Sequence, residues 1–440
     1  MSQLSLLHRR CSSHQWAALA VLLTLGSLLA TPFSTYSAEI GVSFDEAGRL
    51  AVEQAPLLKA RQSQVEANQE EAVRAAALPD PKLTLGLVNW PVTGREAFDL
   101  RADDMTMKQI GVMQEFPARA KRRARQALAD RDVEQAQAMS EAEQLAVRQA
   151  VAIAWITLWA AQREVTELQN LREPAALAVR TAKARLSGAS GTVTDTLATQ
   201  AAALELENRL DGAEAALEAA RAGLARWLGT AAADTQTKGG PPQLTEMPFD
   251  EAELLASIDH QGPLLPWRSR EALAQAEVDS AIAEKLPDWS VGVTYGQRER
   301  TPEGMARSDM LMVEFSIGLP LFTVNRQDRG IAARRAELQA VAAEREDARR
   351  AQGESVRRAF SAWQGLRRQV DRKQTQSLPL ARDRARTALG AYAGGGDLQP
   401  WLQARRDEIE LHLELARQLG ELGRAWAALA YLLPEKETSP

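Results

Sequence analysis

Residues able to do chemistry are few and scattered in this 440-residue chain. Beyond residue 38 the histidines are His260 and His412, and no Ser-His-Asp set can be assembled around either. Aspartates and glutamates are plentiful, but they are strewn along helical stretches beside arginines, as solvated ion pairs are. No enzymatic activity, cofactor or metal site is read from the chain. Methionine comes nearest, with Met105, Met107, Met113, Met310 and Met312 grouped in or beside two short segments. Thioether sulfur suits soft cations such as Cu(I), yet methionine is also an ordinary apolar filler. Met105 and Met107 are spaced for one face of a strand, not for a closed ligand set, so leucine at these positions should leave metal passage intact. Gly394-Gly395-Gly396 has no strand before it and no Lys-Ser/Thr after it, and therefore reads as a helix break, not a phosphate loop.

The segments around the methionines alternate. Leu311, Val313, Phe315, Ile317 and Leu319 fall on one face, while Met310, Met312, Glu314, Ser316 and Gly318 take the other. Trp289–Gly296 alternates likewise, as do Leu83, Leu85 and Leu87, and Ile110, Val112 and Phe116, with Lys108 and Gln114 as departures. Period-2 alternation predicts strands with one apolar and one polar face. One such strand fits a sheet on an ordinary core. Four of them, with aromatic residues near their ends, match membrane-spanning strands, apolar toward lipid and polar toward a lumen. Leu311, Val313, Phe315 and Ile317 are then expected to face lipid, and Met310, Met312, Glu314 and Ser316 the lumen. Four strands cannot close a barrel, and an open edge is not tolerated in lipid. Eight strands from two chains leave an interior filled by side chains, so a water-filled pore needs at least three chains.

The strands belong to a unit that occurs twice. Leu78-Pro79-Asp80 recurs as Leu286-Pro287-Asp288. Each copy continues with two alternating segments, a proline (Pro117 or Pro320), a basic start, a long Ala-, Glu- and Arg-rich stretch and a Gly-containing break. Leu206, Leu210, Leu217, Ala220, Leu224 and Trp227 carry a three-and-four spacing that Leu411, Leu415, Leu422, Ala425, Leu429 and Leu432 repeat. These helices fit a soluble coiled-coil stalk as well as a tunnel wall; the strands decide between them. The repeats are placed at 39–230 and 250–433, with a linker at 231–249 and a tail at 434–440. Breaks between paired long helices are expected at Leu171–Pro174 and Ser377–Pro379, so Leu171, Pro174, Ser377 and Pro379 are expected at the hairpin tips. Arg119, Lys121, Arg122, Arg123 and Arg125 open a helix against its dipole, and snorkelling at a membrane surface would offset that.

The first 38 residues pair His8, Arg9 and Arg10 with an apolar run from Trp16 to Ala30, and read as a signal peptide cleaved after Ala38. Cys11, the sole cysteine, lies in this leader before the apolar run, so neither a lipid anchor nor a disulfide is expected in the mature chain. Past residue 38 no apolar stretch long enough for a helical membrane span is expected. The mild net negative charge gives no reason to expect nucleic acid.

Together these features resemble the TolC-like outer-membrane efflux proteins. The resemblance is carried by Phe116-Pro117, by Leu319-Pro320-Leu321-Phe322, and by Ala391-Tyr392-Ala393-Gly394-Gly395-Gly396-Asp397-Leu398 with Leu402, Ala404 and Arg405. It implies a mainly α fold with transmembrane β: a duplicated strand–strand–long helix–long helix unit in a homotrimer, whose 12-strand β-barrel in outer-membrane lipid continues into a 12-helix periplasmic α-barrel. It also implies an exit duct that takes substrate from an inner-membrane pump and a periplasmic adaptor. Asp80-Pro81-Lys82, Asn89-Trp90-Pro91 and the stretch Met105 to Pro117 are similar to the heavy-metal cation efflux branch. A drug or organic-toxicant duct of the same fold is the alternative, and a soluble periplasmic coiled-coil adaptor the alternative of another class. No acidic ring is matched, because Asp371 and Asp383 alternate with Arg372, Arg382 and Arg384.

Overall fold

Between Pro117 and Pro174 the chain has neither glycine nor proline, and in the computed structural model it forms one long helix, α3 (Arg119–Gln169). The structure describes residues 41–229, 236–394, 396–397 and 399–434. The expected leader with Cys11, part of the expected linker, positions 395 and 398 of the Gly-rich stretch, and the tail after residue 434 lie outside the described residues. Ahead of α3 come β1 (Gly41–Val42), α1 (Phe44–Gln54), α2 (Pro56–Ala75), β2 (Lys82–Val88) and β3 (Met107–Phe116). After it follow α4 (Arg172–Ser187), α5 (Val193–Leu228), β4 (Gln236–Thr237), α6 (Glu251–Ala256) and α7 (Leu265–Ala283). The chain continues with β5 (Trp289–Arg298), β6 (Met310–Ile317), α8 (Gln327–Arg372), a π turn at Lys373–Ser377, α9 (Leu378–Ala393) and α10 (Gln399–Ala430). One four-stranded antiparallel sheet has the order β2-β3-β5-β6, while β1 and β4 form a separate parallel pair.

The long helices share a core around Val147, Val151, Trp155, Ile156 and Leu158 of α3, Leu210 and Leu224 of α5, and Leu422 and Leu429 of α10. Close approach of α10 to α3 requires glycine: a Cβ at Gly420 would stand 2.8 Å from the Ala160 methyl, and one at Gly423 2.5 Å from Ile156 Cγ2. One stretch within 119–187 is long and apolar enough to cross a membrane, which corrects the expectation that no such stretch exists. Within it Val147, Val151, Trp155, Ile156 and Leu158 are buried in the core just described, and Trp159 is partly buried against it. Indole N–H groups fasten the non-helical segments to this core. Trp155 donates to the Val42 carbonyl (2.9 Å), Trp363 to Leu244 (2.9 Å) and Trp426 to Glu246 (2.8 Å). The described part of the expected linker is thereby packed on the helices.

The hairpin turns do not form where they are expected. At Leu171–Pro174 the chain passes from α3 into α4 without doubling back, and α4 lies against α5. Arg172 meets Glu207 (2.5 Å) across that pair, so the reversal falls at 188–192. There Ala189 takes a φ of 57°, and the Ser190 N–H donates to the Arg185 carbonyl (2.9 Å). Gly191 packs where a Cβ would be 3.0 Å from both Arg185 Cβ and the Leu186 nitrogen. In the second half, helix continues through Ser377 and Pro379. Antiparallel pairing of Lys373 with Glu414 (2.5 Å) and of Arg384 with Asp407 (2.7 Å) puts the reversal between Ala393 and Gln399. Leu171, Pro174, Ser377 and Pro379 therefore sit along helical shafts. Proline within the first turn of a helix lacks only an N–H that would have no intrahelical partner. This accounts for Pro174 at the third position of α4, and the π turn before α9 accommodates Pro379.

Trp155 is fully buried, and so is the carbonyl it serves. Trp155→Phe should lower stability by about 1–3 kcal/mol, the cost of a buried acceptor without its donor, read as a lower melting temperature. A change within about 0.5 kcal/mol would show that the indole bond does not hold Val42 in place.

Candidate functional site

The sheet is where the chain departs most from a water-soluble design. Its ladders align Leu83, Val112, Val293 and Val313 in one cross-strand row, and Leu85, Ile110, Tyr295 and Leu311 in the next. Phe116, Trp289 and Ile317 form a third, in which the Phe116 and Trp289 rings stack at 4.2 Å. These rows make one apolar face, and much of it is uncovered: Leu311, Val313 and Phe315 are 60–70% exposed. The opposite face aligns Thr84, Gly111, Thr294 and Met312, then Gly86, Gln109, Gly296 and Met310, then Lys82, Met113, Gly292 and Glu314. Leu311, Val313, Phe315 and Ile317 thus share the apolar side, and Met310, Met312, Glu314 and Ser316 the polar one. Both departures from the alternation have partners at the margins of the apolar face: Gln114 donates to the Pro79 carbonyl (2.8 Å), and Lys108 pairs with Glu299. β2 and β6 are the two outer strands, each with one edge unpaired.

A single carboxylate joins this sheet to the helices. Asp288, immediately before β5, accepts the Ala118 N–H that opens α3 (2.8 Å) and the Lys121 ammonium (2.8 Å). Lys121 also lies 3.3 Å from Glu284, and Arg125 lies 3.4 Å from the same carboxylate. Positive charge at a helix start needs a counter-charge, and Asp288 supplies it from the other half of the chain. Lys121 is only 6% exposed, so this member of the basic cluster is buried in an ion pair instead of snorkelling. Arg119, Arg123 and Arg125 remain exposed. Burial works against charge on Asp288, but the Lys121 and Ala118 hydrogen bonds and the Lys121 and Arg125 charges outweigh it, so its carboxyl titrates below the ordinary range.

Alternation of the strands was legible in the sequence; this latch was not. Its signal was the repeated Leu-Pro-Asp, which marks where Asp288 sits but not which helix it caps. The histidines are not brought together. His260 ends a short turn, and His412 lies on α10 at 3.6 Å from Glu167. Among the described residues no cluster of three or more His, Cys, Asp or Glu is placed to hold a metal.

Each half of the chain joins two short strands to a long helical hairpin, and one apolar face of the shared sheet is exposed. Residues 264–434 match the family described as outer membrane efflux protein. Solved structures agree on the fold. The outer membrane protein VceC of Vibrio cholerae is 18% identical, with a TM-score of 0.71 over 88% of this chain and 94% of that one. The Campylobacter jejuni outer membrane channel CmeC is 13% identical, with a TM-score of 0.71 over 88% and 85%. CusC, whose structures concern folding and transmembrane channel formation, is 13% identical with a TM-score of 0.70 over 89% and 92%. No curated protein sequence matches the chain. Its second half thus matches the outer membrane efflux protein family, and its fold is that of these solved channels.

If Asp288 carries the junction, Asp288→Asn should destabilise the protein by roughly 1–2 kcal/mol, the low end for a charged hydrogen bond because Asp288 is 45% exposed. The carboxyl titrates lower folded than unfolded, so its contribution is present above the ordinary carboxylate pKa and is lost as pH falls through the folded value. Wild type should therefore lose stability on acidification below about pH 4 more steeply than the Asn variant. Parallel melting curves down to pH 3 would contradict this role.

Proposed function

We propose that the mature chain, from residue 39, is the outer-membrane exit duct of a tripartite efflux system, working as a homotrimer. What carries the reading is the sheet, with one uncovered apolar face and two unpaired edges. Lipid accepts such a face but not such edges, and closure with further copies satisfies both demands. Three copies would give twelve strands, the smallest multiple that leaves an aqueous interior. In this arrangement Leu311, Val313, Phe315 and Ile317 meet lipid, while Met310, Met312, Glu314 and Ser316 line the lumen. The two repeats, 39–230 and 250–433, would each contribute two strands and one helical hairpin. Contact with the periplasmic adaptor, and through it the inner-membrane pump, is assigned to the turns at 188–192 and after Ala393, not to Leu171, Pro174, Ser377 and Pro379.

Heavy-metal cations are the favoured substrate, supported by the resemblance of Asp80-Pro81-Lys82 and Met105 to Pro117 to that branch of the family. Drug efflux by the same duct is the second reading, because an exit duct mainly sets diameter and charge while the pump chooses cargo.

Fractionation should recover the chain with the outer membrane as a heat-stable oligomer that detergent alone releases; soluble periplasmic protein would overturn the duct in favour of a coiled-coil adaptor. Phe315→Arg should cost on the order of 2–4 kcal/mol if it lies near mid-bilayer, and Met312→Gln far less. Equal tolerance would show the faces to be reversed or the barrel absent. A deletion strain should become sensitive to copper, silver, zinc or cobalt, and sensitivity confined to a drug panel would overturn the metal assignment.

A further inference from the structure

One junction between sheet and helix is complete within this chain, while its counterpart has its two halves apart. The interval in sequence that separates Asp80 from Asp288 also separates Trp155 from Trp363 and Lys121 from Arg329. Trp155 and Trp363 occupy matching places, each donating its indole N–H to a carbonyl of a non-helical segment. Asp80 therefore stands to β2 as Asp288 stands to β5, and Arg329 stands in the first turn of α8 as Lys121 stands in that of α3. Within the chain, Asp288 reaches α3 because β5 pairs with β3, the strand that leads into that helix. The strand leading into α8 is β6, whose free edge lacks the neighbour that would bring an aspartate there. Asp80 and Arg329 are both exposed, and neither forms a salt bridge among the described residues; the carboxylate that the Arg329 charge reaches, its neighbour Asp328, is paired with Lys285. The helix start at Arg326 likewise has no side-chain cap.

The ladders also fix how a second copy would join. Leu83 pairs with Val112 as Val291 pairs with Phe315, so Phe315 occupies in β6 the place of Val112 in β3. Val112 faces Val293 in the ladder within the chain. Carried across the join, that ladder sets Phe315 opposite Leu85 of a second copy, with Ile317 opposite Leu83 and Val313 opposite Leu87. Apolar residues meet apolar ones along the whole edge, so the lipid-side face continues without a slip, whereas a shift of one residue would interleave the two faces.

We propose that Asp80 of one copy latches the start of α8 in the next copy, receiving Arg329 as Asp288 receives Lys121, with β6 and β2 paired in this register. The inference rests on the trimeric reading above and adds to it the residues that close the ring. A surface salt bridge contributes little, but this one would be half-covered at a subunit boundary and would occur three times in the ring.

Two measurements test it, both on the full mature chain in detergent, which lacks cysteine once the leader is gone. Paired cysteines at Phe315 and Leu85 should give a disulfide-linked ladder up to trimer, whereas cysteines at Phe315 and Val88, on opposite faces of the join, should not. Asp80→Asn and Arg329→Gln should each lower the melting temperature of the trimer, and the double variant should fall no further than the larger single effect. A trimer that crosslinks in register but melts unchanged, or with additive effects, overturns the latch and leaves the duct standing. A trimer that crosslinks only at the Val88 pair, or at neither pair, overturns the register. A chain that stays monomeric, in wild type and variants alike, overturns the trimeric reading itself.

Discussion

A sheet with one uncovered apolar face and two unpaired edges is the constraint from which the rest of this structure follows. Much of the strands' apolar face is uncovered, and in water such a surface is an aggregation hazard. In lipid the same face is stabilising, but every N–H and C=O on β2 and β6 must then find a partner. Monomeric sheet and lipid exposure are incompatible. Under the proposed duct, the alternation of the strands, the absence of a covering layer among the described residues and the need for further copies are one fact seen at three levels.

The second demand is mechanical: the sheet must pass its direction on to the long helices that follow β3 and β6. Asp288 does this within the chain, tying the entry of β5 to the first turn of α3 through one backbone and one side-chain hydrogen bond. Farther along, indole donors on α3, α8 and α10 hold the segments around Val42, Leu244 and Glu246 against the helices. Glycines at 420 and 423 bring α10 close enough to α3 for those segments to reach. Long helices with modest burial are thereby made into one body at a few fixed points.

How much of this was legible depended on the range of the signal. Strand faces follow from a period of two residues and need no partner, so the alternation of Met310 to Ile317 is readable without knowing what each face meets. Pro174 and Pro379 signal breaks in the sequence, yet both lie in the first turn of a helix. A proline in the first turn of a helix removes no hydrogen bond, and at Pro379 the wider π turn absorbs the missing donor. The reversals fall instead at 188–192, where Ala189 takes the left-handed conformation and Gly191 permits a close approach to Arg185, and between Ala393 and Gln399. The Asp288 latch was invisible because its partners lie in the other half of the chain, a distance that only the strand pairing bridges. The basic start of α3 was noticed as a charge in need of an offset, but the offset proved to be a carboxylate.

The methionines show how placement limits chemistry. Met107 and Met113 lie on β3, Met310 and Met312 on β6, with β5 between them. Two strand spacings are roughly 9–10 Å, but a thioether side chain reaches sideways: a Cβ at Gly296 of β5 would stand 2.9 Å from Met107 Sδ, and Gly296 pairs with Met310. The neighbouring β5 positions Gly292, Thr294 and Gly296 add no soft donor, and among the described residues no group of three or more His, Cys, Asp or Glu is placed to hold a metal. Under the proposed duct these methionines soften the polar face of the sheet, and a soft cation that meets thioether alone is passed on more readily than one held by thiolate or imidazole.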